Sequence, residues 1–96
     1  MDAYPFDTRK LIELCRQHDV AKLSVFGSMV RGEATDESDI DLIVEFSKRK
    51  SLLALVALER QLSQALGRKV DLLTEAAISP YLRDRIMREV HVIYEA

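Results

Sequence analysis

The stretch that decides the fold spans residues 25–46 and reads V-F-G-S-M-V-R-G-E-A-T-D-E-S-D-I-D-L-I-V-E-F. A first apolar run ends at Gly27-Ser28, and a second apolar run opens with Asp39 and Asp41. The alternation of apolar and polar residues over 39–46 predicts a β-strand. Because side chains two apart in a strand point the same way, the two acids share one face, and the opposite face is apolar and suited to a core.

Two carboxylates at the mouth of a half-buried strand repel each other, and a divalent cation is their natural counter-charge. Oxygen ligands favour Mg²⁺ or Mn²⁺ over zinc. A purely solvated face is the alternative for Asp39 and Asp41. Asp71 is a third acid, inside the apolar run predicted as a strand over 69–74. If that strand lies beside the second, roughly 4.8 Å away, Asp71 can supply the third carboxylate that a two-metal site needs; otherwise it is a surface residue.

The turn at Gly27-Ser28 predicts a site for anions. A strand that ends in Gly-Ser and leads into a short helix over 28–31 presents free backbone N–H groups at the helix N-terminus. Glycine lets the backbone approach a ligand closely, and the Ser28 hydroxyl adds a donor. Arg31 and Arg68 could also contact phosphates, although exposed arginines usually have no chemical role. The turn and the acids together predict a site for a magnesium-bound nucleoside triphosphate.

Composition limits the classes of protein to consider. The chain has 96 residues, 48% of them hydrophobic, which predicts a single domain over 1–96. Its net charge of −2 gives no long-range attraction for nucleic acid, so no direct nucleic-acid binding is expected. Cys15 is the single cysteine, predicted to be an inert core residue, and no internal disulfide is possible. We see no N-terminal signal sequence and no membrane-length apolar run, and we expect a cytoplasmic protein.

The remaining periodicities predict an α+β fold with a small mixed β-sheet flanked by helices. Helices are predicted over 7–18, 52–66 and 79–89, and further strands over 21–26 and 91–95. The apolar positions of 52–66 cover more than one stripe, which predicts burial on two sides. One side would face the sheet, and the other would face the rest of the fold or a partner chain.

Gly27-Ser28, ten intervening residues and then Asp39-x-Asp41 resemble the signature of the DNA polymerase β-like nucleotidyltransferase superfamily. The segment G-S-M-V-R-G-E-A-T-D-E-S-D-I-D-L-I-V is similar to sequences of its minimal, MntA-like antitoxin branch. The resemblance covers nearly the whole chain. It implies that Gly27 and Ser28 hold the triphosphate and that Asp39 and Asp41 bind the metals. It also implies that Asp71, in K-V-D-L, is the third carboxylate, which assists deprotonation of the acceptor hydroxyl.

The resemblance further implies a function and a partner. The chain would transfer AMP from ATP, with two Mg²⁺ ions, to a tyrosine of a HEPN-type toxin, as the antitoxin of a type VII pair. Larger relatives carry a second domain that binds the acceptor, and we expect none in this chain. Two alternatives remain at this point: a binding module that neutralises its partner by complex formation alone, and nucleotidyl transfer to a small molecule or an RNA end.

Overall fold

The computed structural model describes residues 4, 6–33, 35 and 38–96. The predicted helices and strands are all present, and their ends match the prediction or differ from it by one residue. In chain order they are α1 (Thr8–Gln17), β1 (Val20–Phe26), α2 (Ser28–Arg31), β2 (Ile40–Phe46), α3 (Leu52–Leu66), β3 (Val70–Leu73), a 3₁₀ turn (Glu75–Ala77), α4 (Pro80–Glu89) and β4 (His91–Glu95).

Local sequence signals explain where the long helices begin and end. The Asp7 side chain accepts hydrogen bonds from the backbone N–H groups of the first turn of α1, and Ser51 accepts one from Ala54 (3.2 Å) at the start of α3. Helix α3 stops at Gly67, whose φ of +67° lies in the left-handed region that glycine adopts readily. Pro80 occupies the first turn of α4, where its missing N–H costs nothing.

The four strands form one sheet in the order β3-β2-β1-β4. Strands β2 and β3 run parallel, whereas β1 is antiparallel to both β2 and β4, so the predicted mixed sheet is confirmed. One face of the sheet is apolar and packs with α1 and α3. The fully buried side chains of this core are Leu11, Cys15, Leu23, Val25, Ile40, Leu42, Leu58 and Leu62. Burial raises the pKa of the Cys15 thiol to about 12, which agrees with an inert core residue.

The opposite face of the sheet carries the acids and is partly covered by α4. Ser24 and Ile43 point to this side and are nevertheless buried. Leu82 of α4 is 48% exposed, and Arg83 turns inward to donate to the carbonyl oxygen of Ile78 (3.3 Å). Helix α4 therefore lies loosely over the sheet, with no fully buried residue of its own.

Helix α3 is buried on one side only. Leu58 and Leu62 enter the core, but Leu52 and Leu53 at its N-terminal end are 74% and 81% exposed. The predicted burial of a second apolar side does not occur within the part of the chain that the structure describes. No helix in those residues combines the length and the apolar character needed to cross a membrane.

Candidate active site

Gly27 forms a sharp corner between β1 and α2. Its φ and ψ of +77° and −145° lie in a region that residues with a Cβ atom rarely adopt. A Cβ atom added here would lie 2.5 Å from Oδ2 of Asp41, closer than van der Waals contact permits. Glycine is therefore required both for the backbone conformation and because the Asp41 carboxylate lies directly against this corner.

Asp41 and Asp71 form a pair across two neighbouring strands. They are direct partners in the parallel register of β2 and β3, and Asp41 faces Phe26 of β1 on its other side. The condition set for Asp71, that its strand lies beside the second strand, is met. Burial, followed by repulsion from Asp71 and Asp39 and a hydrogen bond with Asp71, raises the pKa of Asp41 above its ordinary value. The pair is therefore an electrostatically unfavourable arrangement that a bound cation would relieve.

Side chains of α3 hold β3, and hence Asp71, in place. The backbone N–H of Val70 donates to Oγ of Ser63 (3.0 Å), and the N–H of Leu72 donates to Oε2 of Glu59 (2.8 Å). Strand β3 is the edge strand next to β2. These two bonds satisfy N–H groups at the open edge of the sheet, so the residue between them, Asp71, is fixed from both sides.

Asp39 lies one residue before β2 and forms a long ion pair with Lys69. Its side chain is 45% exposed, and its Oδ2 lies 3.8 Å from Nζ of Lys69. Among the residues that the structure describes, no three His, Cys, Asp or Glu side chains are arranged to hold a metal ion together. The structure thus brings Asp41 and Asp71 together and places Asp39 near enough to influence the pKa of Asp41, but not in a ready three-carboxylate cage.

The two arginines proposed for phosphate contact have different surroundings. Arg31, at the end of α2, is exposed, and its Nε donates to Oε1 of Glu33 (2.7 Å). Arg68 instead donates through Nη2 to the backbone carbonyl oxygens of Thr35 and Ser38. Arg68 therefore fastens the loop that leads into Asp39, a structural role that its position in the sequence did not indicate.

A cavity of about 290 Å³ opens beside the corner, and we call it the glycine cavity. Its sheet side is formed by Phe26, Gly27, Arg31 and Asp41, and α4 supplies its other wall through Leu82, Arg85, Ile86 and Glu89. Ser28 is partly buried at the start of α2, next to Gly27. Arg85 is exposed to solvent and also lines the cavity. No local signal could have revealed its position, because the packing of α4 on the sheet sets it.

Comparison with known proteins gives consistent results. Residues 9–96 match the family described as polymerase beta, nucleotidyltransferase. A Methanocaldococcus jannaschii protein, named as a candidate protein adenylyltransferase, is 48% identical over 81 residues, which cover 84% of this chain and 87% of that protein. The protein adenylyltransferase MntA of Thermococcus cleftensis is 40% identical over 78 residues, which cover 81% of this chain and 79% of that protein.

Solved structures agree with the sequence relatives. A crystal structure described as a toxin–antitoxin with AMP-PNP superposes with a TM-score of 0.79 at 25% identity, covering 94% of this chain and 74% of that one. A candidate minimal nucleotidyltransferase superposes with a TM-score of 0.75 at 37% identity, covering 88% of this chain and 86% of that one. This chain therefore belongs to the polymerase beta nucleotidyltransferase family, in its minimal, MntA-like branch.

Proposed function

We propose that this chain is an antitoxin that transfers AMP from ATP to a tyrosine hydroxyl of a HEPN-type toxin. The relative named MntA is a protein adenylyltransferase, and the superposed toxin–antitoxin structure contains the ATP analogue AMP-PNP. The observation that carries the proposal is the Asp41–Asp71 pair, whose Asp41 carboxylate lies directly against the Gly27 corner. Carboxylates that can hold a divalent cation, next to backbone N–H groups that can bind phosphate, suit metal-assisted phosphoryl transfer.

We further propose that Mg²⁺ is the cation. The available ligands are carboxylate oxygens, which suit Mg²⁺, and the raised pKa of Asp41 reflects charge that a cation would balance. Asp41 and Asp71 would be its main ligands. Asp39 would join them by exchanging Lys69 for the cation. The free-energy cost of breaking that ion pair is modest, because its side chains are 70% and 45% exposed. Two bound Mg²⁺ ions would neutralise phosphate charge and lower the pKa of the acceptor hydroxyl.

Residues of the chain would position the triphosphate and accept the proton of the acceptor hydroxyl. Gly27 and Ser28 would bind the phosphates that leave as pyrophosphate, assisted by Arg31 after it releases Glu33. The acceptor oxygen would attack the α-phosphorus, and the bond from that phosphorus to the bridging oxygen of the β-phosphate would break. Asp71 would accept the proton of the hydroxyl. The products are an AMP ester of tyrosine, pyrophosphate and one proton.

Intact-mass spectrometry of a HEPN-type partner, incubated with this chain, ATP and Mg²⁺, tests the proposal. We expect the partner to gain the mass of one or more AMP groups, and we expect no gain with Asp41→Asn or Asp71→Asn. Glu13→Gln, at an exposed position of α1, is the matched control and is expected to retain transfer. Full transfer by either site variant would contradict the assignment of these acids.

The second candidate is an antitoxin that acts by binding alone. The exposure of Leu52 and Leu53 favours this second function. An apolar helix end that no other described part of the chain covers is suited to contact with another protein. The same mass measurement separates the two functions. A toxin that is inhibited without any added AMP indicates binding alone, whereas inhibition that requires ATP and Asp41 indicates transfer.

A further inference from the structure

A second cavity, of about 310 Å³, lies on the same face of the sheet as the acids, and we call it the serine cavity. Ser24 of β1 and Ile43 of β2, which are direct partners in the antiparallel register, form its floor. Met87 of α4 contributes to its wall, so α4 borders both cavities. Lys22, Glu45 and Glu75 add charged groups to its lining.

The acids lie between the two cavities. In the register of β1 and β2, Phe26 faces Asp41, and Ser24 faces Ile43 two residues further along. Two residues of strand span roughly 6.6 Å. The Asp41–Asp71 pair therefore has the Gly27 corner on one side and the serine cavity on the other, within the length of one side chain.

The linings of the two cavities suit different ligands. The glycine cavity holds two cations, Arg31 and Arg85, and two carboxylates, Asp41 and Glu89, beside a corner of backbone N–H groups. Because Asp41 belongs to the proposed cation site, occupation of that site would leave the lining with an excess of positive charge, which suits a polyanion. The serine cavity holds one cation, Lys22, against two carboxylates, so it does not attract phosphate. Its Ile43 and Met87 side chains are apolar, and a thioether packs favourably against an aromatic ring. A neutral aromatic group that carries a polar atom is the ligand that this lining fits.

The geometry of phosphoryl transfer decides which aromatic group this is. In such a transfer the attacking and leaving oxygens lie roughly in line on opposite sides of the phosphorus, and the ester oxygen that carries the nucleoside lies to the side. Pyrophosphate held at the Gly27 corner leaves from that side of the acids. The attacking hydroxyl must then arrive from the side of the serine cavity.

We infer that the serine cavity receives the aromatic ring of the acceptor, a phenol carried on a protein, and directs its hydroxyl toward the α-phosphorus. This inference rests on the proposed function and adds to it the binding site of the acceptor. Within it, Ile43 and Met87 hold the ring, and the hydroxyl points toward the Asp41–Asp71 pair. The phenol oxygen bonds to phosphorus, pyrophosphate departs and the phenol proton passes to Asp71.

Methyl NMR of the full chain tests where the ring binds. The probes are N-acetyl-tyrosinamide as a phenol and AMP-PNP with Mg²⁺ as the nucleotide, with the labelled methyl groups of Ile43, Met87 and Leu82 as reporters. We expect AMP-PNP to shift Leu82, and N-acetyl-tyrosinamide, added afterwards, to shift Ile43 and Met87. If AMP-PNP alone shifts the methyl signals of Ile43 and Met87, the nucleobase occupies the serine cavity. If N-acetyl-tyrosinamide shifts neither signal, the phenol does not bind in that cavity. Either result overturns the inference.

A cavity-filling variant tests its role in the reaction. Met87→Trp is expected to raise KM for the protein acceptor by about 10- to 100-fold, because the indole fills the space that the acceptor ring would occupy, while Kd for AMP-PNP stays within about twofold. Tyr81→Trp is the matched control, since Tyr81 is on the same helix but 95% exposed. A weakened Kd for AMP-PNP, or an unchanged KM, in Met87→Trp overturns the inference. A wild-type chain that transfers no AMP refutes the proposed function itself, so the two failures are distinguishable.

Discussion

Replacing Asp41 by asparagine is expected to stabilise the folded chain and, at the same time, to abolish AMP transfer. Asp41 and Asp71 are direct partners on adjacent strands, and their carboxyl groups are close enough to share a hydrogen bond. Two unit charges about 4 Å apart repel by roughly 1 kcal/mol in water and by roughly 4 kcal/mol at an effective dielectric constant of 20. Because Asp41 is only half-buried, we expect the lower part of this range, about 1 kcal/mol.

The gain in stability should depend on pH in a defined direction. The folded-state pKa of Asp41 is raised above its unfolded value, so the folded chain binds this proton more tightly than the unfolded chain does. The repulsion is therefore absent below the unfolded pKa, about 3.9, and grows as the pH rises through the folded pKa. Asp41→Asn should stabilise the chain at pH 7 and have little effect near pH 4.

Thermal unfolding in EDTA, followed by circular dichroism at both pH values, measures this effect. For a domain of this size, 1 kcal/mol corresponds to a rise in Tm of about 4–8 °C. Asp71→Asn should give a similar rise, and the double variant should gain less than the sum, since each single change removes the same repulsion. Glu13→Gln is the control at an exposed helix position. A fall in Tm for Asp41→Asn at pH 7, or an equal rise at pH 4, would refute the charge coupling.

Three further outcomes are expected. Gly27→Ala should lower the free energy of unfolding, measured by urea titration, by about 2–3 kcal/mol, because the new Cβ meets the Asp41 carboxylate and the backbone conformation is strained. Gly32→Ala is the control, at a positive φ with open space around it, and should lower the free energy of unfolding by only about 1 kcal/mol. Arg68→Ala removes the hydrogen bonds to two loop carbonyl groups and should weaken Mg²⁺ binding, measured by calorimetry, about tenfold. Arg60→Ala, on the exposed side of α3, should leave the Kd for Mg²⁺ unchanged. Equal Kd values for the two variants would show that the loop does not position the site. Mg²⁺ should raise Tm more at pH 7 than at pH 5, because protons compete with the cation for the acid pair, and the reverse order would argue against carboxylate ligands.

Much of the fold could be predicted from local signals. Alternation of apolar and polar residues marked the strands, and capping residues such as Ser51 and Gly67 marked the ends of α3. The Gly27 corner and the Asp39-x-Asp41 strand could be predicted for the same reason. Neighbours in sequence are bound to be neighbours in space, so a short motif places its own side chains.

Other features of the fold and of the candidate site depend on contacts between distant parts of the chain. Arg68 reaches back about thirty residues to the loop before Asp39, and Arg85 enters the glycine cavity only because α4 crosses the sheet. A helix with few apolar residues has no pattern strong enough to fix which side it turns to a neighbour. The exposure of Leu53 could not be predicted either. An apolar residue predicts burial, but the residues that would cover it come from distant parts of the chain.

Local patterns in the sequence specify the strands, the helices, the glycine corner and the first two acids, because each depends on residues within a few positions of one another. Three other features follow from packing between distant segments: Asp71 faces Asp41, Asp39 pairs with Lys69, and α4 borders a cavity on each side of the acid pair. Strand order and register arise from the packing of the whole core, and no local spacing encodes them.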